Sequence, residues 1–174
     1  MTQSSTQPDV DARTFSAERV FNAPREKVFA AFTQCEHLMR WWGPQEWPLV
    51  HCDMDFRVGG SWHYAMRETA TGNESWGLMF YDEITAPEFI RYRDVFSDAN
   101  RGINPDLPES ASTLHFYADG TQTRVVSQTV YATPVVSQTV YATPEMLKQV
   151  LEMGMEEGFK QTWDQLEQYV AGLA

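Results

Sequence analysis

At 174 residues the chain has room for one domain with a substantial core. Hydrophobic residues make up 43% and aromatics 13%, which excludes a disordered chain. With 13 Lys and Arg against 24 Asp and Glu, the net charge of −11 repels a nucleic-acid backbone or an anionic membrane surface, so neither is expected as a partner.

No apolar run reaches membrane-spanning length, and the opening MTQSSTQPDVDAR lacks the apolar centre of a signal peptide. Cys35 and Cys52 carry no spacing that marks a disulfide framework or a zinc site. The expectation is a cytoplasmic protein with reduced, inert thiols packed in apolar segments.

In chain order, residues 1–13 are polar and turn-rich and read as a mobile tail. Residues 14–174 read as a single domain. Thr14 to Phe21 predict a first strand, closed by Asn22-Ala23-Pro24. Pro24 suits the first position of a helix, whose apolar side is Val28, Phe29, Ala31 and Phe32. A second short helix is expected from Glu36 to Trp41, ending near Gly43-Pro44.

Period-two alternation then takes over. Cys52, Met54, Phe56 and Val58 form one stripe, and His51, Asp53, Asp55 and Arg57 form the other. Gly59-Gly60 marks a turn, after which Trp62, Tyr64 and Met66 share one face of the next strand. Further strands are expected near Trp76–Ile84, Phe89–Phe96 and Ser112–Tyr117, with a long Pro/Asn/Asp-rich loop between the last two. Asp119-Gly120 predicts a hairpin turn. Thr143-Pro144-Glu145 starts a closing helix to about Val170, with Leu147, Val150, Leu151, Phe159, Trp163, Leu166, Tyr169 and Val170 on its apolar side. These elements make an α+β fold.

The segment VVSQTVYATP occurs at 125–134 and again, unchanged, at 135–144. Because its length is even, either copy can fill a strand with the same side chains facing inward. The hairpin favours the first copy, Val125–Tyr131, in the sheet, and Pro134 interrupts a continuous strand. The competing outcome is a dimer in which the displaced copy completes a neighbour's sheet.

The ordered motifs RVFNAPREKVFAAF, RWWGP, DFRVGGSWHY and GMEEGFKQTWDQLEQY resemble the bacterial SRPBCC (START-like) proteins, in the subgroup named after the activator of heat-shock protein 90 ATPase, homologue-like. The similarity spans roughly residues 14–174 apart from the duplicated segment. It implies a helix-grip (START/Bet v-like) fold, a curved antiparallel sheet wrapped around a long C-terminal helix, often with a cavity between them. Relatives bind apolar molecules, catalyse cyclisation or dehydration, or assist a chaperone, so the fold alone does not select an activity.

The expected function is binding of a small apolar or amphipathic molecule in that cavity, with no cofactor. Its candidate lining is Trp41, Trp42, Trp62, Tyr64, Met66, Trp76, Tyr81, Tyr92, Phe96, Met155 and Phe159, because Trp and Tyr join apolar bodies to polar tips and Met adapts to varied shapes. Gly154 and Gly158, four apart within the predicted last helix and near Met153 and Met155, leave room for close packing or for a ligand. For an enzyme using the same cavity (cyclase, dehydratase or hydrolase), the acid–base candidates are Glu83, His115, Tyr64, Tyr81 and Tyr92, with no catalytic residue assigned. A co-chaperone-like interaction module is the third reading. His51, Asp53, Asp55 and His63 carry metal-ligand chemistry, but Arg57 continues the stripe as on any half-exposed strand, and no metal is expected.

Overall fold

The protein is described from a computed structural model covering residues 4–9, 14–132, 148 and 151–173. Two strands, β1 (Ser4–Asp9) and β2 (Thr14–Phe21), precede two short helices, α1 (Arg25–Thr33) and α2 (Cys35–Trp41). The strands β3 (Leu49–Met54), β4 (Ser61–Arg67), β5 (Glu74–Thr85), β6 (Phe89–Ser97), β7 (Glu109–Asp119) and β8 (Gln122–Ala132) follow as a meander, and α3 (Met155–Ala171) closes the chain. All eight strands join one curved antiparallel sheet in the order β1-β2-β8-β7-β6-β5-β4-β3. This is the α+β helix-grip arrangement.

Alternation fixes which face of the sheet meets the helices. In β2, Phe15, Ala17, Arg19 and Phe21 are buried while their neighbours are partly exposed. On α3 the residues Phe159, Trp163, Leu166 and Val170 recur at helical spacing and form the stripe that this face receives. Phe159 meets Phe15 edge-on at 5.1 Å, and Trp163 meets Phe21 at 5.6 Å. Arg19, the one charged residue of the β2 stripe, reaches Asp164 on α3 at 2.6 Å.

Helix α1 starts one residue later than its proline suggests: Pro24 caps it with extended backbone, and its carbonyl accepts from the Lys27 and Val28 amides. The hairpin is as its sequence predicts. Asp119 pairs with Gln122 around Gly120-Thr121, and Gly120 has φ +62°, where a side chain would be strained. The strand that follows is the first copy of the repeat, with Val125 opposite Phe116 and Tyr131 opposite Ser110. The second copy and Pro134 lie outside the described residues.

Four expectations need correction. Residues 4–9 of the expected tail form β1, which pairs with β2 from Ser4↔Arg19 to Asp9↔Thr14. Its sequence, SSTQPD, has no apolar stripe because this edge strand is held by backbone hydrogen bonds, and an edge tolerates Pro8. Second, β3 ends at Met54, so the stripe through Val58 does not stay on one strand. Phe56 turns in against Tyr81 at 4.9 Å, while Val58 is exposed.

Third, the last helix is not continuous. Gly154 stands at φ +84°, a left-handed conformation that ends the preceding turn and starts α3. Residues 143–147 of the expected helix start lie outside the described residues. Fourth, Cys35 and Cys52 are joined in a disulfide, their Cα atoms 5.8 Å apart. They are separated by 17 residues, and the packing of α2 on β3, not a motif, brings them together. The bond staples α2 to β3.

Candidate functional site

The inner faces of the strands are graded by side-chain size. Along β7 the inward residues run Phe116, Leu114, Ser112, Ser110; opposite the first three on β8 stand Val125, Ser127 and Thr129, and Tyr131 holds the register position opposite Ser110. At the large end the sheet packs directly on α1: Phe116 meets Phe29 at 5.2 Å and Phe32 at 5.3 Å. At the small end the floor falls away beneath the start of α3, leaving a recess of about 370 Å³. That lies within the roughly 300–1,000 Å³ typical of small-molecule sites.

Most elements contribute to its wall. Trp42, Gly43 and Pro44 come from the end of α2, Tyr64 and Met66 from β4, Met79 from β5, and Tyr92, Asp94 and Phe96 from β6. Phe15 comes from β2, and Met155, Phe159 and Trp163 from α3. Gln165 on α3 donates from Nε2 to the Gly43 carbonyl at 2.7 Å, tying the helix to the turn after α2. The floor hydroxyls of Ser112 and Thr129 bond each other at 2.8 Å.

One carboxyl stands within this mostly apolar lining. The Tyr64 hydroxyl donates to Asp94 Oδ2 at 2.8 Å, while Asp94 Oδ1 is buried with no hydrogen-bond partner. Burial disfavours the charged form and raises the Asp94 pKa to about 7; the Tyr64 bond and the nearby Val95 amide pull the other way without offsetting it. The Tyr64–Asp94 contact depends on a missing side chain. Tyr64 pairs with Gly77 on β5, and a Cβ at Gly77 would lie 2.2 Å from the Tyr64 ring. Glycine in a strand interior here marks a close approach, which lets the phenol cross β5 to reach β6.

The sequence matches the family described as Activator of Hsp90 ATPase homolog 1-like protein over residues 22–171. The chain belongs to that family. Its members share the SRPBCC fold and are generally ligand-binding or chaperone-associated modules. A solution structure of a protein from Arthrobacter aurescens is similar at 27% identity and a TM-score of 0.84, covering 97% of this chain and 91% of that one. A crystal structure of a protein from Mycobacterium smegmatis is similar at 26% identity and 0.80, covering 96% and 95%. A protein titled AHSA1 from Silicibacter pomeroyi, at 18% identity and 0.69 over 92% and 99%, shares the fold. Comparison with curated proteins finds no match.

Within this AHSA1-like fold, the residues expected to line a cavity divide. Trp42, Tyr64, Met66, Tyr92, Phe96, Met155 and Phe159 surround the recess. Trp41 does not: it is fully buried, and its Nε1 donates to the Ala31 carbonyl at 3.0 Å. Trp62 and Tyr81 belong to the core cluster, Trp62 4.9 Å from Trp42 and Tyr81 against Phe56. Burial, with the charges of Tyr92 and Asp94, drives the Tyr81 hydroxyl well above the usual tyrosine range. Trp76 is on the opposite face of the sheet, stacked on His63 at 4.9 Å. Gly154 borders the recess with open space where a Cβ would be, while a Cβ at Gly158 would press on Pro44 at 3.1 Å. One of the two glycines leaves room and the other permits close packing.

The polar candidates scatter. Glu83 pairs with Arg91 at 2.8 Å, and His115 lies between Phe89 and Tyr117; both border a separate surface recess. His63 bonds the Asp98 carbonyl, Asp53 pairs with Arg101 and Asp55 with Arg57. Among the described residues no three His, Cys, Asp or Glu side chains gather as a metal ion needs, and no helix is long and apolar enough to cross a membrane. Asp94 was not among the candidates. Its signal is present in the β6 alternation, where Ile90, Tyr92, Asp94 and Phe96 share a stripe and Arg91 and Arg93 occupy the other. An acid on the apolar stripe is the anomaly to notice.

Proposed function

We propose that the protein binds a small apolar or amphipathic molecule in the recess between the inner face of the sheet and α3. The observation that carries this reading is the grading of the inner stripe from Phe116 to Ser110, which leaves room where aromatic and thioether side chains converge around one carboxyl. Membership of a family of ligand-binding or chaperone-associated modules supports it. Native mass spectrometry of gently purified protein, repeated after denaturation and after titration with naphthylmethanol, tests it. A ligand mass that disappears on denaturation, or one naphthylmethanol bound per chain, is the expected result. A bare chain that takes up neither overturns the proposal.

A catalytic use of the same recess has one observation in its favour. Asp94 titrates near neutrality beside the Tyr64 hydroxyl, which is the pairing an acid–base step needs. Under that reading Asp94→Asn abolishes turnover of a bound substrate while leaving its affinity within a fewfold. The interaction-module reading gains no such support. Among the described residues, the exposed large apolar side chains Met39, Val58, Ile103, Tyr117, Val130 and Met153 come from different elements.

A further inference from the structure

We propose that the recess recognises an amine: an apolar molecule whose protonated nitrogen sits on Asp94 Oδ1. The inference rests on the ligand-binding reading above and names the chemistry of the ligand. Oδ1 is buried with no hydrogen-bond partner, although the other oxygen of the same carboxyl is held by Tyr64. A buried acceptor without a partner is costly, and a donor brought by a ligand removes that cost.

The surroundings select the kind of donor. Among the described residues that line the recess, Asp94 is the one acid, and no Lys, Arg or His is present. A ligand carboxylate would meet a like charge and no counter-ion. An alcohol fills the hydrogen bond but leaves the carboxylate uncompensated, whereas an ammonium supplies both the bond and the opposite charge. Trp42, Tyr92 and Phe96 border the same space, and aromatic rings attract a cation where a neutral alcohol gains nothing comparable. The net charge of −11 also favours the approach of a cation over an anion.

The titratable groups facing Asp94 are Tyr64 from β4, Tyr92 on its own strand and Tyr81 from β5. Helix α3 presents Met155, Gly158, Phe159, Thr162 and Trp163, and β7 presents Ser110 and Ser112, none of which ionises in this range. Binding an ammonium holds Asp94 as carboxylate. With the free pKa about 7, roughly half a proton should leave the protein for each amine bound near neutrality.

Three probes of one shape test this: naphthylmethylamine, naphthylmethanol and naphthoic acid, titrated calorimetrically into the full chain. At about pH 8 the amine should bind about tenfold more tightly than the alcohol, and the acid more weakly than either. At about pH 5.5 the amine keeps its charge while Asp94 is protonated, so the advantage over the alcohol should shrink severalfold. Titration near neutrality in buffers of different ionisation enthalpy should show about half a proton released with the amine and none with the alcohol. In Asp94→Asn the amine should bind no more tightly than the alcohol, the roughly tenfold preference having gone with the charge.

Amine and alcohol binding equally to wild type at about pH 8 overturns the proposal while leaving the ligand-binding reading intact. So does an amine preference that survives Asp94→Asn. If none of the three binds, the underlying reading fails with it. The pH comparison on wild type needs no variant, so it decides the matter even if Asp94→Asn does not fold.

Discussion

The two ends of the sheet's inner face are made by the same strands yet behave as different materials. Near α1 and α2, Phe21, Phe29, Phe32, Trp41, Trp62, Ile90, Leu114 and Phe116 form a closed aromatic and aliphatic core. Beneath the start of α3, the same strands present Tyr64, Tyr92, Asp94, Ser110, Ser112 and Thr129 around a recess. The hydrogen-bond ladder is continuous through both ends, from Phe116↔Val125 to Ser110↔Tyr131. What differs is side-chain volume and polarity alone. Stability should therefore reside in one end and chemistry in the other.

The sharpest way to break that division is to truncate matching aromatics. Phe116→Ala removes a fully buried ring and should cost about 4 kcal/mol, with naphthylmethanol binding unchanged in whatever fraction remains folded. Phe96→Ala, at the rim of the recess, should cost less than half as much and weaken the probe instead. Urea midpoints for the two variants check this, and equal losses would dissolve the distinction.

Gly77→Ala should come next. A methyl group against the Tyr64 ring forces that side chain off Asp94, and overpacking together with a lost charged hydrogen bond should cost about 3 kcal/mol. Carbon-13 NMR of the carboxyl should then show Asp94 titrating higher than in wild type, because the lowering effect of the Tyr64 bond has gone.

Asp94→Asn probes the open end in the opposite direction. A carboxyl whose pKa is raised on folding favours the folded state fully below its unfolded value of 3.8 and loses that advantage as pH rises through about 7. The variant should therefore gain about 2 to 3 kcal/mol on wild type between about pH 5 and pH 8. Parallel stability curves for the two proteins would show that Asp94 is not desolvated. The smallest effect is expected from Ser110→Leu, which fills the recess. It should gain about 1 kcal/mol and exclude naphthylmethanol, so a large loss of stability would mean that no usable space exists there.

The sequence made the scaffold legible and the site only partly so. Alternation located β2 and β7 because each buries every second residue, β4 and β5 were found by their apolar and aromatic content although both of their faces are covered, and the Asp119-Gly120 turn set the register of β8. The edge strand β1 was not legible because it is held by backbone pairing and a Thr6–Glu156 hydrogen bond, neither of which needs an apolar stripe. The Cys35–Cys52 bond was not, since residues far apart in sequence meet only through tertiary packing. Aromatic content pointed to Tyr64, Tyr92 and Phe159 but could not separate them from Trp41 or Trp62, because core and cavity wall use the same residue types. Asp94 and Gly77 are departures from a strand's ordinary composition, and their meaning depends on what lies across the neighbouring strand.

The grading of β7 also bears on how such a protein can diverge. Ser110 and Ser112 join the ladder through the main chain, with one side-chain bond from Ser112 to Thr129 across it, so replacing Ser110 alters the depth of the recess without touching a cross-strand side-chain bond. Folding is anchored elsewhere, by Phe116 and its neighbours. Descendants of one ancestral sheet can therefore change what they hold one side chain at a time, each intermediate remaining a folded protein exposed to selection.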